Sequence, residues 1–185
     1  MKNMFSKLTS VLVALVLSWC AVADDIVGKT LYAQTNMWYE NPMKIVATNY
    51  HVGTIMAAGT KITIEEVDEE SISFKDENGT KYRIVIVVKH NNVPGPALAQ
   101  RLFGAADPMA ADGRFKKFTK EEQDNIRAGY LVKGMSKEAV LMAYGYPPTI
   151  RTANTDLNIW TYWKNRWVTR IIRFDESNRV SDIQG

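Results

Sequence analysis

The chain has 185 residues, 46% of them apolar and 23% charged, with 23 basic against 20 acidic side chains. These proportions suit one ordinary domain or two small ones with a real core, and they exclude wholesale disorder. A net charge of +3 does not supply the clustered basic face that nucleic acid requires, so nucleic acid is not an expected partner.

Lys2 and Lys7 make the start positive. An apolar run follows, Val11-Leu12-Val13-Ala14-Leu15-Val16-Leu17, and then Ala21-Val22-Ala23 before Asp24-Asp25. Basic, apolar, then small-x-small is the order of a secretory signal peptide, here 1–23, with cleavage after Ala23. The run is well short of the roughly 20 apolar residues that cross a bilayer. A second reading makes Cys20, the only cysteine, a lipid-modified first residue. That processing wants a small residue just before the cysteine, and Trp19 stands there. The expected product is therefore periplasmic or secreted and begins at Asp24. It has no thiol for a disulfide, a metal or a nucleophile. Loss of Lys2 and Lys7 leaves 21 basic against 20 acidic residues.

Residues 24–90 read as strands. Thr30 to Tyr39 is polar and aromatic with partial alternation. Lys61 to Val67 follows the turn signal Ala58-Gly59, and Ser71 to Lys75 alternates cleanly. Asp76-Glu77-Asn78-Gly79 is a hairpin turn, because Asn-Gly takes positive φ at little cost. Thr80 to Val88 returns as a β-branched strand. Short strands with tight turns over so few residues suggest a small closed barrel or rolled sheet. Residues 91–118, opened by Val93-Pro94-Gly95-Pro96, read as a linker with a short helix over 97–103.

The pattern then changes. Thr119-Lys120-Glu121-Glu122 is a capping box, and its helix should end near Gly129. Ser136 caps a second helix, with Met135 and Val140 at the spacing of a hydrophobic staple. Gly145 and Pro147 end it: Gly145 is expected to make a left-handed turn and Pro147 forbids continuation. Three strands are expected after that, over 157–163, 166–174 and 179–183. Helices followed by an antiparallel meander make an α+β unit over 119–185.

Gly134-Met135-Ser136, Gly145-Tyr146-Pro147, Trp160-Thr161-Tyr162, and Phe174 with Val180 and Ile183 occur in that order. This succession resembles the BamE/SmpA/OmlA family of outer-membrane assembly lipoproteins over 119–185. The two-helix, three-strand architecture is similar to that of β-lactamase-inhibitor proteins as well. Residues 24–90 resemble a bacterial SH3-like barrel through strand count and turn spacing. The resemblance implies a non-enzymatic envelope protein that contacts other envelope proteins in outer-membrane protein assembly or envelope integrity. A periplasmic inhibitor and a peptidoglycan binder acting through the N-terminal barrel are the other readings, since fold alone does not fix function.

The residues give little support to catalysis. His51 and His90 stand apart, whereas zinc generally takes three or four ligands. Glu65, Glu66, Asp68, Glu69 and Glu70 surround a turn, where carboxylates are solvated, and not a cleft that would split their acidities. Gly104 and Gly113 are isolated, so there is no phosphate loop. No cofactor is implied. The aromatic residues say more. Trp160, Tyr162, Trp163 and Trp167 fall in one expected hairpin, with Arg166 and Arg170 beside them. Alternation puts Trp160 and Tyr162 on one face and Trp163 on the other. A sheet covered by helices on one side leaves its second face wet, and Trp, Tyr and Arg are the usual anchors of interfaces. These six residues form the candidate partner face. Trp38, Tyr39 and Tyr50 form a weaker candidate groove.

Overall fold

A computed structural model describes residues 26–185. The expected signal peptide, Cys20 and the expected cleavage after Ala23 lie outside the described residues. The fold is α+β. Strands β1 (Thr30–Ala33), β2 (Met37–Tyr39), β3 (Ile45–Val46), β4 (Thr54–Met56), β5 (Lys61–Val67), β6 (Ser71–Asp76) and β7 (Lys81–Val85) precede helix α1 (Gly95–Leu102) and β8 (Phe103–Gly104). Helices α2 (Lys120–Ala128) and α3 (Lys137–Tyr144) lead to β9 (Ile159–Trp163), β10 (Thr169–Phe174) and β11 (Val180–Gln184).

A curled six-stranded sheet runs β3-β7-β6-β5-β1-β8. Its inner face is the alternating set Ile62, Ile64, Ile72, Phe74 and Ile84, each at most 1% exposed. The β6–β7 hairpin forms at the expected turn: Asp76 accepts from the amides of Asn78 and Thr80 at 2.9 Å each, and Gly79 takes φ 82°. The expected linker, 91–118, carries α1, whose Leu98, Ala99 and Leu102 join this same core, and β8, which pairs with β1.

The second core lies between α2, α3 and the three-stranded sheet β11-β10-β9. The capping box is formed: Thr119 Oγ1 accepts from the Glu122 amide at 3.2 Å, and Glu122 Oε2 accepts from the Thr119 amide at 3.0 Å. Glu122 also reaches forward to accept from the Ser136 amide at 2.8 Å, so one carboxylate caps α2 and fixes the start of α3. These donors hold its pKa below the usual carboxylate value despite the cost of burial. Met135 and Val140 are both buried, as a staple requires. Gly145 departs from expectation. Its φ is 77° but its ψ is −175°, which is not a left-handed helical turn but an extended conformation open essentially to glycine alone.

The strand expected over 30–39 is two strands, and the reason is Asn36. Its Nδ2 donates to the carbonyls of Ile126 (2.7 Å) and Ala143 (3.1 Å), and its Oδ1 accepts from the Ala58 amide at 2.9 Å. A buried amide that needs three partners takes two of them here from the two helices of the second core and the third from the turn before β5. The chain therefore leaves the first sheet after Ala33, and β2 pairs with β4 as a separate ribbon. Trp38 at 8% exposure and Ile55 then pack into the second core. Asn49 adds a second link, donating to Tyr144 O at 2.9 Å and accepting from the Trp38 amide at 3.0 Å. The two cores are joined by buried polar groups and not by a tether.

Candidate functional site: a groove between two chain segments

Two local structures, far apart in sequence, face each other. The first follows β2. Asn41 Oδ1 accepts from the Met43 amide at 2.9 Å and caps a single 3-10 turn, Pro42–Lys44, that projects Lys44 outward. Asn49 then adopts φ 52°, a conformation that Asn tolerates better than most residues. This turns Tyr50 and Val52 back towards Tyr39.

The second local structure is the β9–β10 connection. The strand expected to begin at 166 begins at Thr169, because Asn165 Oδ1 accepts from the amides of Trp167 (2.8 Å) and Val168 (2.9 Å) and builds an Asx turn. Trp167 is left at the hairpin tip, 81% exposed. The Arg166 guanidinium lies 5.8 Å from the centre of its ring, within the range of cation–π attraction.

Between them is a groove of about 520 Å³, lined by Trp38, Tyr39, Glu40, Asn41, Lys44, Val46, Tyr50 and Val52 on one side and Asn165, Arg166 and Trp167 on the other. That volume falls among small-ligand and peptide sites. The two residue sets that the sequence kept separate thus meet: Trp38, Tyr39 and Tyr50 share this space with Arg166 and Trp167. Glu40, Asn41, Lys44, Val46, Val52 and Asn165 were not expected there. Asn41-Pro42 was the one local sign, as a turn that could present a side chain.

The rest of the expected partner face does not reach the groove. Trp160 and Tyr162 are 0% exposed, so neither can touch a partner; they correct the expected face. Trp160 Nε1 donates to Leu157 O at 2.9 Å and Tyr162 Oη donates to Gly145 O at 2.8 Å, which allows both polar tips to be buried. Trp163 is half-buried with the Arg151 guanidinium 4.8 Å from its ring centre. Arg170 is occupied internally: Nη1 donates to Tyr144 Oη at 2.9 Å and Nε to Gly185 O at 3.2 Å.

His51 fastens the two walls. Its Nδ1 lies 3.2 Å from Trp163 O at the base of the hairpin, and its Nε2 lies 2.9 Å from Tyr144 O. The ring stacks on Tyr144 at 3.4 Å and meets Trp38, in the groove wall, edge-on at 4.6 Å. Burial lowers its pKa to about 4, against the opposing pull of the two carbonyls. At neutral pH the ring is therefore uncharged and donates to one carbonyl at a time.

Other features offer less. An apolar slot beneath Tyr146 and Pro147 has room for about 30 Å³, the space of a water or two. Among the described residues, no three His, Cys, Asp or Glu side chains gather to hold a metal ion. The chain matches no protein-family model, no curated protein and no solved structure.

Proposed function

We propose that this is a non-enzymatic bacterial cell-envelope protein that holds a segment of a partner protein in the groove between Tyr39 and Trp167. The observation that carries the reading is Trp167: a large ring left 81% exposed beside a cation, facing tyrosines across a space of about 520 Å³. Exposing so much apolar surface is unfavourable in water. Aromatic rings with an arginine are the groups that dominate binding energy at interfaces. The succession of motifs over 119–185 that resembles the BamE/SmpA/OmlA family supports an envelope setting, as do the basic-apolar-small order of residues 1–23 and the pair of helices followed by an antiparallel meander. On this reading the curled sheet is an SH3-like unit, the protein acts in the periplasm, and its partners are envelope proteins in outer-membrane assembly or envelope integrity.

The test is capture from envelope extracts on the immobilised protein, comparing wild type with Trp167→Ala and Tyr130→Ala. Tyr130 is a second exposed aromatic, 67% accessible, and does not line the groove. A partner lost with Trp167→Ala and kept with Tyr130→Ala supports the reading. Equal capture by all three would remove Trp167 from the account.

A further inference from the structure

The charges around the groove carry a statement about its ligand. Lys44 projects from the 3-10 turn on one wall, and Arg166 from the hairpin tip on the other; both are exposed. Six cations elsewhere are paired with carboxylates: Lys75 and Lys81 with Glu65, Lys120 and Arg127 with Asp124, Lys133 with Asp182, Arg179 with Glu122; what sets Lys44 and Arg166 apart from the other cations is that both line one groove. Neither Lys44 nor Arg166 has a carboxylate partner among the described residues. Among the described residues, Glu40 is the only acidic one lining the groove, so two cations face one carboxylate across a space lined with aromatic rings.

Resting on the reading that the groove holds a partner segment, we propose that this segment is acidic, with a carboxylate next to an aromatic or large aliphatic side chain. The spacing at the hairpin tip supports that pairing. With the Arg166 guanidinium 5.8 Å from the Trp167 ring centre, a ligand ring lying on Trp167 brings a neighbouring carboxylate to Arg166. The planar guanidinium fits a carboxylate with two parallel donors. Lys44, on a flexible stem, takes a second carboxylate from the opposite wall. Tyr39 and Tyr50 between them supply apolar area with polar tips, which suits an extended segment. Glu40 sets the limit on ligand charge, since a carboxylate close to it is repelled. Net attraction at the rim speeds encounter and fixes orientation more than it deepens affinity.

The test uses the full-length secreted chain and fluorescence anisotropy with four probes: a short labelled peptide alternating Glu and Phe, its Gln-for-Glu copy, its Lys-for-Glu copy, and a labelled chitin oligosaccharide. The Glu peptide is expected to bind about three- to tenfold more tightly than the Gln copy at low salt, a range set by two exposed ion pairs. The margin should shrink as salt rises. Lys44→Glu combined with Arg166→Glu should reverse the order so that the Lys copy binds best, and Glu40→Gln should tighten the Glu peptide. Equal binding of the Glu and Gln peptides overturns the acidic preference. If Trp167→Ala still weakens both, the groove itself stands; if Trp167→Ala changes neither, the groove reading falls with it. Absence of saturable binding by the Glu peptide, or tighter binding of the oligosaccharide than of any peptide, also overturns the proposal.

Discussion

Replacing Asn36 by alanine removes three hydrogen bonds at the point where the two cores meet. The partners do not suffer equally. Ile126 O still accepts from the Gly129 amide at 3.2 Å, but the Ala58 amide loses its side-chain acceptor inside a region that is only 2% exposed at Asn36. At about 1 kcal/mol net for each bond lost, with a further 1 kcal/mol or so for the stranded amide, Asn36→Ala should cost about 3–4 kcal/mol. A chain of this size loses about 2–4 °C per kcal/mol, so the midpoint should fall by about 10 °C. Urea unfolding followed by tryptophan fluorescence gives the free energy directly, and the slope reports whether one cooperative unit has become two. A loss under about 1 kcal/mol would refute the role given to Asn36 in joining the cores.

Three further outcomes follow from the same geometry. His51 has a folded pKa of about 4, below the 6.5 of its exposed form, so the unfolded state binds the proton first. Its contribution is fully present above pH 6.5 and fades as pH falls towards 4, by up to about 3 kcal/mol; His51→Gln should flatten that part of the urea-stability profile, and an unchanged slope would count against a neutral buried ring. Gly145→Ala combines a glycine-only conformation with a Cβ placed 2.5 Å from Asn49 Nδ2, and should cost about 2–4 kcal/mol in thermal unfolding. Trp160→Ala should cost about 3–5 kcal/mol, as a fully buried ring does, whereas Trp167→Ala should stay within about 0.5 kcal/mol of wild type; similar losses at both positions would mean that Trp167 is structural.

Local chemistry made much of the fold legible. The capping box at Thr119 and Glu122, the Ser136 cap, the stop at Gly145-Tyr146-Pro147 and the Asn78-Gly79 hairpin each involve residues within a few positions of one another, and each formed. Alternation correctly placed Trp160 and Tyr162 on a face opposite Trp163, but it could not say which face the helices cover; they cover the first, and so two expected contact residues lie in the core. Trp167 was read as a strand residue because its neighbours are apolar and β-branched. The Asx turn of Asn165 outweighs that propensity and frees the ring for solvent.

The groove itself was not legible, for a physical reason. It exists because Asn36, Asn49 and His51 satisfy their hydrogen bonds on Ile126, Ala143, Tyr144 and Trp163, residues 90 to 112 positions away. Nothing in the spacing of a lone Asn or His announces a distant partner. For the joining of the cores, the available sign was the polar run Gln34-Thr35-Asn36 set between Leu31-Tyr32-Ala33 and Met37-Trp38-Tyr39, where a polar side chain must find partners or leave the core.

The central claim is that the turn around Asn41 and the hairpin tip at Trp167 are two walls of one binding site. A photo-crosslinking amino acid placed at Asn41, at Trp167 and, as a control, at Tyr130, followed by mass spectrometry after irradiation of living cells, tests it most directly. The same partner protein recovered from Asn41 and Trp167, and not from Tyr130, is the predicted result. Different partners from the two walls, or equal recovery from Tyr130, would contradict it.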